Sequence, residues 1–211
     1  MFFLNFLILC KSLLFNGFKV IFDFLNMGKK IIILASGGGT NAQNIILYFN
    51  QSDDINVHSV LCNRKEAGVY DRVNTLGVKC EWFDASNDHS LEDYMEEHQP
   101  DLIVLAGYLK KIPTSLVKAY PNMIINIHPA LLPKYGGKGM YGMHVHNSVK
   151  AAGETQSGIT IHFVNEHYDE GGVILQKAVA LDPQDCPSVI AEKVQQLEYM
   201  HFPKVIEQLL S

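Results

Sequence analysis

The chain has 211 residues, 47% of them apolar and 18% charged, and its 17 Lys and Arg against 22 Asp and Glu leave a net charge of -5. That length suits one domain or a tightly joined pair on the usual scale of about 150 residues per domain, and that apolar content excludes a disordered chain. The acidic balance excludes a nucleic-acid-coating surface, and four scattered cysteines (Cys10, Cys62, Cys80, Cys186), with no C-x-x-C pair, point to a reducing, cytoplasmic compartment rather than a disulfide framework or a zinc site.

Residues 1–26 stand apart from the rest. They hold eighteen apolar side chains and seven of the eleven Phe, with only Lys11, Lys19 and Asp23 charged. No basic start and no A-x-A pattern marks a secretory signal. Lys11, Asn16, Gly17, Lys19 and Asp23 interrupt the run before it reaches the roughly 20 apolar residues of a bilayer span. The expectation is an apolar extension outside the fold, from a misassigned upstream start or as a peripheral segment, with no membrane partner and with 27–211 forming a single domain.

From Lys30 onward, short aliphatic or β-branched runs alternate with amphipathic stretches, the pattern of βα units. Strands are expected near 30–35, 56–61, 78–83, 102–106, 123–127, 158–164 and 173–181. Helices are expected near 41–50, 67–76, 89–98, 114–120, 144–152 and 187–209. The unbroken apolar runs Ile31-Ile32-Ile33-Leu34 and Leu102-Ile103-Val104-Leu105 belong in strands covered on both faces. The expected class is α/β: a Rossmann-like open sheet, mostly parallel, with helices on both faces.

Between the first strand and its helix lies Ser36-Gly37-Gly38-Gly39-Thr40-Asn41. Glycines permit close backbone approach and the helix N-terminus attracts anions, so this loop can hold a phosphate without a lysine. A plain tight turn is the alternative. The dinucleotide fingerprint is only loosely met, and no acidic residue ends the second strand.

Asn126-Ile127-His128-Pro129 closes the strand 123–127. Alternation puts Asn126 and His128 on one side, at the carboxyl end of a strand, where open α/β sheets bind ligands. An amide and an imidazole there can stabilise an oxyanion and move a proton, although a strand-end His can also be a satisfied structural group. The Gly-rich stretch Tyr135 to Gly142 follows as the one long irregular loop. His144 and His146, with His128 or His162, permit a metal reading only outside regular helix, since residues two apart on a helix diverge; no metal is expected. Asp169, in Asp169-Glu170-Gly171-Gly172, can be a turn residue. If its loop folds over the strand end, its carboxylate favours the imidazolium form of His128.

Asn126-x-His128-Pro129-x-Leu131-Leu132-Pro133 with downstream Asp169 resembles the 10-formyltetrahydrofolate-dependent formyltransferases, over about residues 29–209. Leu105-Ala106-Gly107-Tyr108, Ser157-Gly158-x-x-x-His162-Phe163-Val164 and Glu198-x-x-x-Phe202-Pro203 support the resemblance. It implies a catalytic trio of Asn126, His128 and Asp169, with His128 charged. It implies phosphate binding by Gly38, Gly39, Thr40 and Asn41, and contact of Glu198 with ribose hydroxyls. It also implies folate binding along Tyr108, Leu109, Lys110, Lys111 and Ile112, with Asn126. The implied reaction carries a formyl group from the co-substrate 10-formyltetrahydrofolate to the amine of glycinamide ribonucleotide, a step of purine biosynthesis, by a monomer or homodimer with no nucleic-acid partner.

Two departures from the family pattern are visible. The run Gly136 to Gly142 is several residues longer than in its best-studied members, and Lys111 stands where an aliphatic residue is expected. A formyltetrahydrofolate hydrolase and a non-catalytic nucleotide-binding module are the rivals. Hydrolases lack the Ser-Gly-x-Gly-Thr-Asn loop, and a binding module leaves the trio without a purpose.

Overall fold

The computed structural model describes residues 28–211, so the apolar extension expected at 1–26 lies outside the described residues. Seven strands form one sheet: β1 (Lys29–Ala35), β2 (Ile55–Cys62), β3 (Lys79–Trp82), β4 (Leu102–Leu105), β5 (Ile124–His128), β6 (Gln156–Phe163) and β7 (Val173–Ala180). Their order is β3-β2-β1-β4-β5-β6-β7. β3 to β5 run parallel, while β6 and β7 pair antiparallel at one edge. The helices are α1 (Thr40–Phe49), α2 (Val69–Asn74), α3 (Asp88–His98), α4 (Thr114–Ala119), α5 (Met143–Ala151) and α6 (Pro187–Leu210). Each falls within two residues of the boundaries read from periodicity.

The aliphatic run in β1 explains why the sheet is covered twice. Ile31, Ile33 and Ala35 face one core with Ala42, Ile45 and Phe49 of α1, Val69 and Val73 of α2, Val145 of α5 and Phe202 of α6. Ile32 and Leu34 face the other, with Leu91 and Met95 of α3 and Leu116 of α4. Successive strand residues point to opposite faces, so a run without polar interruption requires helices on both. Truncating a fully buried residue such as Ile33 to Ala costs about 2–5 kcal/mol in cores of this kind.

Strand order reverses at β1: the chain first steps outward to β2 and β3, then crosses to the other side of β1 to lay down β4 and β5. The loops that follow β1 and β4 therefore diverge above their carboxyl ends, and the crevice between them is where such sheets take ligands.

The long helix α6 contains Pro203, which is buried. Proline has no N–H, so the carbonyl of Tyr199, four residues earlier, loses its helical donor. Asn44 of α1 supplies one, its Nδ2 donating to Tyr199 O at 3.0 Å. One turn earlier in α1, Asn41 donates to Glu198 Oε2 at 2.8 Å. These two bonds tie the start of α1 to the middle of α6 and set the glycine loop against Glu198.

Candidate active site

A cleft of about 620 Å³ opens at the carboxyl ends of β1, β4 and β5. It is lined by Asn126, His128 and Asp169, by Asn41 and Glu198, and by the run Tyr108 to Ile112. Gly38, Gly39 and Thr40 sit just beyond Asn41 at its edge rather than among the lining residues.

The glycine loop is built so that its carbonyls are engaged. Val69 N–H donates to Gly37 O at 3.1 Å, and Arg72 Nε donates to Gly38 O at 2.8 Å. Gly39, at φ 75°, turns the chain into α1, whose first-turn N–H groups have no intrahelical acceptor. Ser36 fastens the loop from below: its hydroxyl donates to Asn63 Oδ1 at 2.7 Å and accepts from Leu109 N–H at 3.0 Å. One buried hydroxyl thus joins the ends of β1, β2 and β4.

Strand β5 delivers Asn126 and His128 to the same side, as alternation requires, and the antiparallel partner β6 places His162 opposite Asn126. The chain then turns through Asp169, which sits at φ 58°, a left-handed conformation that Asp tolerates better than most residues. Its Oδ2 lies 3.5 Å from His128 Nδ1 and its Oδ1 3.6 Å from His162 Nε2. Asn126 Nδ2 lies 3.2 Å from His162 Nε2 and donates to Asp169 Oδ1 at 3.4 Å. The structure therefore brings the expected three residues together and adds His162 as a fourth.

The irregular loop completes the arrangement with backbone groups. Gly137 N–H donates to Asp169 Oδ2 at 2.9 Å, and the Tyr135 carbonyl lies 2.7 Å from His128 Nε2. Since a carbonyl only accepts, His128 Nε2 carries a proton, which leaves Nδ1 facing the carboxylate. Both ring nitrogens of His128 thus face oxygen acceptors.

One electrostatic expectation is corrected. The carboxylate was expected to make His128 charged; instead, burial is the largest influence and holds its pKa below the ordinary imidazole value, with His162 acting the same way. Asp169 and the Tyr135 carbonyl pull upward without overcoming it. The resting ring is neutral at pH 7, yet it is set to gain a proton when negative charge appears nearby. On Asp169 itself burial is again the largest influence and pushes upward, but His162, His128 and Gly137 N–H together hold its pKa below the usual carboxylate value. Asp169 remains ionised. Glu198 has only Asn41 opposing its burial, and its pKa is pushed up to about 7.

At the other side of the cleft Tyr108 and Ile112 are buried, while Leu109, Lys110 and Lys111 are exposed at its mouth. Lys110 and Lys111 have no carboxylate partner among the described residues. His144 is exposed and His146 buried, so the two diverge as helix geometry demands. Among the described residues no group of three His, Cys, Asp or Glu side chains is arranged to hold a metal ion.

His162 has no part in the trio that the family resemblance implies. The available signal was alternation in β6, where Gly158, Thr160 and His162 share a face between Ile159, Ile161 and Phe163.

Against known proteins, residues 29–206 match the formyl transferase family model, and the chain belongs to that family. Among curated proteins it is 41% identical over 189 residues to the chloroplastic phosphoribosylglycinamide formyltransferase of Arabidopsis thaliana, covering 84% of this chain and 64% of that one. It is 33% identical over 190 residues to the phosphoribosylglycinamide formyltransferase of Bacillus subtilis, covering 86% and 95%. A solved structure of phosphoribosylglycinamide formyltransferase from Streptococcus pneumoniae superposes with a TM-score of 0.76 at 34% identity, over 87% of this chain and 99% of that one. The chain spans less than two thirds of the length of the plant relatives.

Proposed function

We propose that this chain transfers the formyl group of 10-formyltetrahydrofolate to the primary amine of glycinamide ribonucleotide, a step of purine biosynthesis. The observation that carries this reading is a single cleft joining two dissimilar halves across Asn126, His128 and Asp169. One half begins at a glycine-rich helix N-terminus and suits a phosphate. The other is a backbone-rich loop between buried Tyr108 and Ile112 and suits a flat ring.

In this reading Gly38, Gly39, Thr40 and Asn41 hold the ribonucleotide phosphate, and Glu198 accepts bonds from the ribose hydroxyls. Tyr108, Leu109, Lys110, Lys111 and Ile112 hold the folate. Asn126 donates to the formyl oxygen as negative charge develops there, and His128 meets the same charge in its protonated form. Asp169, ionised and facing Nδ1, orients the ring and stabilises the imidazolium formed when His128 takes a proton from the attacking amine, and His128 passes that proton toward the departing N10 nitrogen. His162 acts behind Asp169 and Asn126 as a positioning residue. No step requires a metal. The hydrolase rival has less support, since the glycine loop and Glu198 converge on the cleft from one side and give a second substrate a place.

Glu198 gives the reading a pH signature. With its pKa near 7, Glu198 is largely protonated at pH 6 and largely a carboxylate at pH 8. The carboxylate is the better acceptor for hydroxyl protons, so KM for the ribonucleotide should fall as pH rises from 6 to 8. Glu198→Gln should raise KM at pH 8 and flatten that dependence. An unchanged profile in the variant removes Glu198 from ribonucleotide binding.

Among the described residues no helix is long and apolar enough to cross a membrane. Cys62, Cys80 and Cys186 carry free thiols, which favours a cytoplasmic enzyme. We place the catalytic unit in residues 27–211. A chain begun at Met27 is expected to match the full chain in turnover, and in both the ribonucleotide and the folate should raise the melting midpoint while NAD should not. A truncated chain that loses most of its turnover makes residues 1–26 part of the enzyme. Stabilisation by NAD instead of folate overturns the assignment of the second half of the cleft.

A further inference from the structure

One polar group of the cleft takes no part in the scheme above. His146 lies on the buried face of α5 with Val145 and Val149, is 6% exposed, and lines the same cleft as His128 and Glu198. Its Nδ1 is buried and has no hydrogen-bond partner among the described residues. A second buried atom without a partner, Asn41 Oδ1, belongs to the same lining. Buried polar atoms are paired in nearly all folded proteins, so two such atoms in one cleft point to a ligand that meets them. Asn41 belongs to the phosphate end and His128 to the reacting end. His146 lines the cleft with both and is near enough to His128 to interact with it electrostatically, which sets it at the reacting end.

What reaches the reacting end of a glycinamide ribonucleotide is its amine, which is largely an ammonium ion near neutral pH and has no lone pair until a proton leaves. We propose that His146 Nδ1 receives that proton. The step rests on the ribonucleotide reading. One N–H bond of the ammonium breaks and one forms on the imidazole; the electron pair left on nitrogen forms the new bond to the formyl carbon. The imidazolium returns its proton to solvent when product leaves, and no oxidant or further reactant takes part.

The surroundings suit a neutral acceptor. Burial, and then His128, hold the His146 pKa below the ordinary imidazole value, so its lone pair is available at pH 7. The same burial loosens the hold of an ammonium in the cleft on its proton, so the pKa values of donor and acceptor are displaced together. The other titratable groups lining the cleft are His128 on β5, His162 on β6, His167, Tyr168 and Asp169 beyond it, Glu198 on α6, Lys138 and Tyr141 on the loop before α5, and Tyr108, Lys110 and Lys111 after β4. His144 on the same helix is exposed.

The test compares wild type with His146→Gln, whose amide oxygen accepts a hydrogen bond but not a proton. kcat/KM for the ribonucleotide is measured from pH 6.5 to 9, with folate affinity measured alongside. Loss of a proton acceptor should cost about 10–100-fold at pH 6.5, and the gap should narrow to a few fold at pH 9, where the amine arrives already neutral. Titration of Glu198 is common to both chains and cancels in their ratio. Folate affinity should be unchanged. A loss constant across pH, or none, overturns the proposal, as does loss of folate binding in both His146→Gln and His146→Asn, since His146 is then structural. A wild-type chain that transfers no formyl group to the ribonucleotide at any pH defeats the ribonucleotide reading itself, and this step with it.

Discussion

Asp169→Asn should lower kcat by about 10²–10⁴ while leaving both substrates bound, the range found when one partner of an acid–base pair is lost. Asparagine can still accept the Gly137 N–H, so the loop keeps its anchor, but the negative charge 3.5 Å from His128 Nδ1 is gone. That charge opposes the burial that holds His128 below its ordinary pKa, so its removal moves the His128 titration to still lower pH. The imidazolium that should meet the oxyanion is then less stable, and the loss appears in kcat rather than in ground-state affinity. Single-turnover rates with both substrates saturating measure the loss, and the imidazole titration of His128 followed by NMR gives its sign. A variant within a few fold of wild type, or a His128 titration moved upward, removes Asp169 from the mechanism.

Gly39→Val should abolish detectable ribonucleotide binding, a loss of more than about 100-fold, because it fails in two independent ways. Position 39 has φ 75°, which a β-branched residue rarely adopts, and a Cβ there would lie 2.5 Å from Val69 Cγ2 and 2.9 Å from Val69 Cα. Either α2 moves or the loop opens, and both withdraw the amides at the start of α1. Asn41→Leu is the companion: it keeps the backbone but removes the bond to Glu198, so ribonucleotide affinity should fall with less effect on the fold. Calorimetry with each substrate separates the outcomes. Folate affinity should be retained in Asn41→Leu, and equal losses for both ligands would mean that the loop serves the fold rather than the phosphate.

Much of this architecture was legible because it is periodic. The run Ile31 to Leu34 could only be a strand covered twice, and the spacing between aliphatic runs placed every helix of the described residues to within a turn. Asn126 and His128 were legible because alternation over two residues is a local property. What escaped was long-range or carried by the backbone. His162 reaches Asn126 only through the antiparallel pairing of β5 with β6, a register that no local pattern encodes. The carbonyl of Tyr135 and the N–H of Gly137 have no side-chain signature, although the stretch that carries them is visible in the sequence as the one long irregular loop. Ser36 has no separate role in the sequence pattern of its loop, yet its hydroxyl joins three strand ends. The proton affinity of His128 went wrong for a related reason: spacing shows that a carboxylate is near, but burial by distant parts of the chain decides which influence is larger.

The transfer itself is tested most directly by following release of tetrahydrofolate from 10-formyltetrahydrofolate with and without glycinamide ribonucleotide. The account requires release that depends strictly on the ribonucleotide and yields one equivalent of N-formylated ribonucleotide for each tetrahydrofolate. Release at the same rate without ribonucleotide, with formate as the product, would contradict it and make this cleft a hydrolase site.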